Sequence, residues 1–182
     1  MADRVVVVGS ARLDDADPAW AVGHEMGRLL AEAGFDVVTG GYGGLMASVS
    51  WGAHEAGGRV IGLPMSGWTH LQPNEWNAEL VWVEDYPTRL AQILSCRAVV
   101  ALDGGIGTLS ELAVVWSARQ TENEAPLLIA VGDRWRRILA ELSTDLVAGP
   151  SDFELVTVVA SPADALEAIR SPKEVSRPGP RG

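Results

Sequence analysis

At 182 residues the chain is long enough for one domain with a substantial core, and its 47% hydrophobic content and mean hydropathy of +0.12 fit a soluble globular protein. A formal charge of −10 argues against nucleic acid as a partner, because a phosphate backbone calls for a basic footprint, and no apolar run reaches the roughly 20 residues of a membrane helix. Thirteen of the 14 basic residues are arginine and the one lysine, Lys173, sits in a Pro-rich end, which excludes Schiff-base and P-loop chemistry from the core.

A single cysteine, Cys96, leaves no internal disulfide framework and points to a reducing cytoplasm, as does a start without a secretory pattern. His24, His54 and His70 lack metal-ligand spacing, so no metal is expected.

In chain order, Arg4 to Gly9 is a continuous β-branched run, the signature of a strand covered on both faces. Asp17-Pro18 opens a helix that runs to about Ala33, with Gly34 as its stop. Phe35 to Thr39 reads as the second strand, Leu45 to Ala56 as a helix, and Arg59 to Leu63 as the third strand. Ser66 to Asn77 is irregular and holds Trp68 and Trp76; Leu80 to Glu84 reads as a short strand and Tyr86 to Ser95 as a helix. Arg97 to Leu102 is a buried strand, followed by a helix from Thr108 to Gln120. Pro126 to Val131, a helix near Arg134 to Leu146, Leu155 to Ala160 and a helix from Pro162 to Arg170 complete the set. Residues 1–170 form one domain and 171–182 a flexible Pro-rich tail.

This alternation predicts an α/β fold, a single Rossmann-like, doubly wound and mainly parallel sheet flanked by helices. Ligands of such sheets bind beyond the carboxyl ends of the strands, where the strand order reverses. Three strand ends carry the right residues: Gly9 to Arg12, Thr39 to Gly44, and Asp103 to Thr108. The fingerprint G-x-G-x-x-G is absent after the first strand, so no bound dinucleotide cofactor is expected.

The third segment, Asp103-Gly-Gly-Ile-Gly-Thr-Leu-Ser-Glu111, says most about chemistry. Gly104, Gly105 and Gly107 let backbone N–H groups approach a ligand, and the helix N-terminus favours an anion such as phosphate. Thr108 and Glu111 also fit a capping box, in which the glutamate needs no ligand. Gly40, Gly41, Gly43 and Gly44 are more glycine than a tight turn requires and read as a second ligand loop. Ser10 either donates to phosphate or caps the turn after the first strand; Tyr42 and Met46 are placed at the pocket or its lid. Trp68 and Trp76 either stack a base or pack the irregular segment. Arg89, early in its helix, can reach the carboxyl edge of the sheet, whereas Arg97 belongs at the opposite edge. Leu112, Val115 and Trp116 form either a dimer face or core.

Together these segments resemble the LONELY GUY family and its bacterial relatives once labelled lysine decarboxylases. The family pairs a "GGGxxGLM" loop with "PGGxGTxxE", seen here as Gly40-Gly-Tyr-Gly-Gly-Leu-Met46 and Asp103 to Glu111. The missing core lysine contradicts the decarboxylase label. The resemblance implies a homodimer or larger assembly that hydrolyses the N-glycosidic bond of a nucleoside 5′-monophosphate, giving free base and ribose 5-phosphate, with cytokinin-type substrates in plant members. It places catalysis on Arg89 and Glu111, and phosphate or nucleotide binding on Ser10, Gly40, Gly41, Gly43, Gly44, Met46, Gly104, Gly105, Gly107 and Thr108. The superfamily also implies a runner-up: a carrier that holds a phosphorylated pterin, as molybdenum-cofactor carriers do, without turning it over. Single-strand DNA handling, known among related DNA-processing proteins, fits poorly with the charge of −10.

Two residues depart from the family pattern: Leu90 stands where a lysine usually follows the arginine, and Asp103 stands for the proline. A carboxylate about 6 Å from a phosphate charge costs roughly 3 kcal/mol at an effective dielectric near 20. Asp103 therefore points away, pairs with an arginine, or reports an altered ligand.

Overall fold

Runs such as Val5–Val8 and Ala98–Ala101 are apolar at every position, which a strand tolerates only when helices cover both of its faces. A computed structural model of the chain, describing residues 3–122 and 124–172, shows how that is achieved. Strands β1 (Arg4–Val8), β2 (Asp36–Thr39), β3 (Val60–Gly62), β4 (Glu79–Leu80), β5 (Ala98–Ala101), β6 (Leu127–Val131) and β7 (Thr157–Val159) make one sheet. Its order is β4-β3-β2-β1-β5-β6-β7 and every neighbouring pair is parallel. Helices α1 (Pro18–Glu32), α2 (Leu45–Glu55), α3 (Tyr86–Leu94), α4 (Ile106–Thr121), α5 (Asp133–Asp145), α6 (Pro150–Phe153) and α7 (Pro162–Arg170) provide the connections.

Alternate side chains along each strand feed two cores. Val5, Val7, Val37, Val100 and Ile129 pack with Met26, Leu30, Leu45, Val49 and Ile169, beneath α1, α2 and α7. Val6, Val8, Val38, Val99 and Leu128 pack with Ile93, Leu112, Val115, Trp135 and Leu139, beneath α3, α4 and α5. The strand order reverses between β1 and β5, so a crevice opens beyond Val8 and Ala101.

Several helices start where the sequence says they should. The Asp17 side chain accepts from the Ala19 N–H at 2.8 Å with Pro18 next in line, and the chain leaves α1 through Gly34 at φ +85°. Asp85 and Ser161 cap α3 and α7 in the same way. The expected strand over Leu80 to Glu84 shrinks to Glu79–Leu80 plus one bridge between Met65 and Val83. Asp85 is already committed to capping α3, and β4 is an edge strand with a single partner. Helix α4 begins at Ile106, before Thr108, and the short α6 had no helical period to reveal it. Leu112 and Val115 are core residues, and Trp116 stacks edge-on against Phe153 of α6 and donates its N–H to the Asp152 carbonyl. Of the expected tail, residues 173–182 lie outside the described part of the chain. Among the described residues no helix is long and apolar enough to cross a membrane.

Helices α1 and α2 cross so closely that glycine is obligatory at the contact. A Cβ on Gly27 would lie 2.0 Å from the Val49 carbonyl oxygen, and one on Gly52 would lie 1.9 Å from that of His24. Gly27→Ala and Gly52→Ala are expected to lower stability by about 2 kcal/mol each, although alanine is the better helix former. Urea unfolding checks this: the midpoint falls while the slope is unchanged.

Candidate active site

Three loops at the carboxyl edge of the sheet are tied together through the backbone of Ser10. Its N–H donates to the Asp103 carbonyl at 2.9 Å, and its carbonyl accepts from the Leu45 N–H at 2.8 Å. Gly44, with φ +66°, sits against this junction: a Cβ there would meet the Ser10 oxygen at 2.3 Å. Both the backbone conformation and the packing demand glycine. The Ser10 hydroxyl accepts from the Arg12 N–H at 3.1 Å, so it does cap its turn while also lining the cleft.

The segment 103–111 opens α4 without a capping box, one of the two readings of Thr108 and Glu111. Gly105 is the N-cap of α4, and its carbonyl accepts the first helical bond, from Leu109, at 2.9 Å. The N–H groups of Ile106, Gly107 and Thr108 thereby belong to the first turn, which has no intrahelical acceptors for them. Open space stands where side chains of Gly105 and Gly107 would be, so a ligand can approach the backbone there. Thr108, the third residue of α4, packs against Gly104, where a Cβ would fall 2.1 Å from Thr108 Oγ1. Glycine at the cap needs no side-chain partner, and Glu111 is released from capping to face the cleft.

Glu111 and Arg89 form a buried ion pair at the cleft floor, each side chain 8% exposed. Arg89 donates to Glu111 Oε1 from Nε at 3.2 Å and from Nη2 at 3.0 Å, and from Nη1 to the Leu63 carbonyl at 2.6 Å. Among the described residues no hydrogen bond falls on Glu111 Oε2, which leaves that oxygen for a ligand. Gly40 is required by this pair: a Cβ would lie 2.7 Å from Arg89 Nη2 and 2.5 Å from Met46 Sδ. Burial pushes the Glu111 carboxyl above the ordinary carboxylate value, and the adjacent Arg89 guanidinium pulls part of the way back.

The resulting cleft holds about 580 Å³ and is walled by Ser10, Arg12, Gly40, Tyr42, Met46, Trp68, Tyr86, Trp135 and the 104–109 segment. Gly41, Gly43 and Gly44 shape their loop without lining the cleft. Trp68, 39% exposed, stacks on Tyr42 with ring centroids 5.9 Å apart, whereas Trp76 lies beside Trp51 and away from the cleft. Arg97 sits at the far edge, bonded to Asp3 and to the Ile169 carbonyl. Asp103 takes the second of its three courses: it pairs with Arg134 at 3.3 Å.

Sequence reading missed four participants. Asn74 Nδ2 donates to the carbonyls of Gly41 and Tyr42 at 3.0 and 2.8 Å, and Asn77 Nδ2 donates to Gly41 at 3.1 Å, so the irregular segment braces the first glycine loop. Trp135 and Tyr86 enter from helices α5 and α3; Tyr86 pairs with the Ser110 hydroxyl. Nothing local in the sequence marks these contacts. Among the described residues no group of His, Cys, Asp and Glu side chains converges as a metal site would need.

Comparison with known proteins agrees with this architecture. The model of the SLOG cluster4 family matches residues 3–131. A cytokinin riboside 5′-monophosphate phosphoribohydrolase of Rhodococcoides fascians is 30% identical over 156 residues, 81% of this chain and 79% of that protein. The rice cytokinin riboside 5′-monophosphate phosphoribohydrolase LOG (Oryza sativa subsp. japonica) is 39% identical over 102 residues, which span 51% of this chain and 40% of that protein. Among solved structures, the molybdenum cofactor binding protein from Rippkaea orientalis superposes with a TM-score of 0.72 at 24% identity, covering 93% of this chain and 96% of that one, a likeness of fold.

Removing Arg89 leaves a buried carboxyl with its chief stabilising charge gone. Arg89→Met is expected to push the Glu111 carboxyl further upward and to cost about 3 kcal/mol when that group is forced to ionise. A raised folded-state value means that the folded state holds the proton longer, so this contribution declines as pH rises from the ordinary carboxylate range through the raised value. The stability gap between variant and wild type should therefore widen as pH rises above the ordinary carboxylate range, read by denaturant melts on either side of it. A gap independent of pH would contradict this account of the pair.

Proposed function

The chain belongs to the SLOG cluster4 family, and on that premise we propose that it hydrolyses the N-glycosidic bond of a nucleoside 5′-monophosphate, releasing the free base and ribose 5-phosphate. The observation that carries this reading is the buried Arg89–Glu111 pair beside a helix N-terminus, with one carboxylate oxygen left over. The cleft, about 580 Å³, suits a ligand of nucleotide size. In this reading the phosphate lies on the backbone N–H groups of Ile106, Gly107 and Thr108, where the dipole of α4 favours negative charge. Phosphate binding, remote from the broken bond, fixes the sugar above Glu111.

Cleavage sends the electron pair of the C1′–N bond to the base and leaves positive charge on the sugar. Glu111 Oε2 stabilises that charge or activates the attacking water, whose oxygen bonds to C1′ while a proton ends on the base. Arg89 holds Glu111 by charge-assisted bonds to Oε1 and keeps the other oxygen turned to the ligand. The Tyr42–Trp68 stack offers a flat apolar wall for the base. The relative from Rhodococcoides fascians extends the reading to cytokinin-type bases. Family resemblance further assigns a homodimer or larger assembly, which light scattering of the purified protein tests; a monomeric mass overturns it.

A panel of nucleoside 5′-monophosphates, assayed for free base and ribose 5-phosphate, tests the activity. Wild type is expected to cleave at least one member, and Glu111→Gln to lower kcat/KM by about 10³-fold. The acid limb of the wild-type profile should lie above the ordinary carboxylate range, because burial raises Glu111. A wild type that binds a nucleotide or a phosphorylated pterin and leaves it intact overturns the hydrolase in favour of a carrier.

A further inference from the structure

The glycines that cradle an anion have no side chains with which to hold themselves in place. Their position is inherited from Leu102 and Asp103, and both of those residues are gripped by consecutive residues of α5. Leu102 is 1% exposed and follows the last residue of β5, so its carbonyl needs a partner that the loop cannot give. The indole N–H of Trp135, itself 2% exposed, donates to that carbonyl at 2.9 Å. One residue on, the Asp103 carboxylate faces Arg134 Nε at 3.3 Å, and its carbonyl is taken by the Ser10 N–H.

We propose that Arg134 and Trp135 are positioning residues for the anion cradle: Trp135 sets the height of the 104–108 loop, and Arg134 offsets the Asp103 charge so that an anionic group can bind beside it. The family pattern puts a proline where this chain has Asp103, and proline restricts its own backbone and carries no charge. Here the restriction comes from outside, through α5, and the charge needs a counterion. Arg134 is 58% exposed and Asp103 26%, so the pair contributes little to folding. Its value lies in the field at the cradle, a value that appears only when an anion is bound.

This inference rests on the reading of a phosphate-bearing ligand, and its test separates the two. Adenosine 5′-monophosphate and inorganic phosphate serve as probes in calorimetric titrations at low salt. Arg134→Ala is expected to weaken binding of the nucleotide about fivefold, and Asp103→Asn combined with Arg134→Ala to return it to within about twofold of wild type. If the double variant stays as weak as the single one, Arg134 meets the ligand directly and the offset role is overturned. For any nucleotide that is turned over, Arg134→Ala should raise KM more than it lowers kcat.

The second arm needs no ligand. Trp135→Phe keeps an aromatic ring and removes the N–H; amide exchange at Ser10 and Leu109, whose N–H groups are bonded to the Asp103 and Gly105 carbonyls, should accelerate about tenfold in the free protein, with protection in β1 and β6 unchanged. Unaltered exchange at Ser10 and Leu109 overturns the positional role of Trp135. A Trp135→Phe chain that melts globally, with β1 and β6 exposed as well, overturns that role too, and the Arg134 variants then decide the other half. Should wild type bind neither probe, the phosphate reading fails while the exchange arm still decides whether α5 positions the loop.

Discussion

Arg89 places a permanent cation inside the protein, and a buried cation is tolerated only where oxygen atoms surround it. That requirement organises the carboxyl edge of the sheet. The guanidinium takes Oε1 of Glu111 from α4 and the carbonyl of Leu63 from the end of β3. It comes so close to the end of β2 that a Cβ at position 40 would lie 2.7 Å from Nη2. Four segments are thus fixed relative to one planar group, and the cleft is the space left above it. A pair of apolar residues of similar volume would fold as well or better. Charge retained at such a cost is what the proposed chemistry at Glu111 calls for.

The two glycine loops differ in what their glycines do. In the first, Gly40 yields to Arg89 and Met46 and Gly44 yields to the Ser10 backbone, while Gly43 faces open space outside the cleft. In the second, Gly104 yields to Thr108, while Gly105 and Gly107 face open space within the cleft at the start of α4. The first loop brings Tyr42 and Met46 to the cleft wall. Ser10 joins the two loops through two backbone bonds, which makes the turn after β1 the place where a shift in one loop would be felt by the other.

The sheet was legible because its strands are apolar on both faces and its turns are written in glycine, proline and aspartate. That Arg89 and Glu111 stand at the carboxyl edge could be read as well, the first from its place early in α3 and the second from the glycine segment that carries it. The capping-box alternative had the right spacing at Thr108 and Glu111, but spacing says nothing about which residue is the cap. Gly105 took that role since its carbonyl accepts the first helical bond and Thr108 is held against Gly104. Asn74, Asn77, Tyr86 and Trp135 could not be seen, because each acts across a distance in sequence that no local pattern records. The Asn74 bond to Tyr42 spans 32 positions and the Trp135 bond to Leu102 spans 33.

Burial and the guanidinium act on Glu111 in opposite directions, and the balance bears on the reaction. Without Arg89, burial would raise the Glu111 carboxyl further and favour its protonated form, which can neither stabilise a cationic sugar nor draw a proton from water. With an exposed, fully solvated carboxylate the charge would be screened by water at the moment it was needed. The pair lies between these limits: Arg89 holds the charge on Glu111 in a dry setting, yet spends its bonds on one oxygen and leaves the other directed to the cleft. In the proposed reaction, a positive charge growing on a bound sugar would meet an anion that the protein already holds in place. On this view Arg89 need not touch the substrate to matter for its cleavage; its burial under Gly40 makes the carboxylate usable.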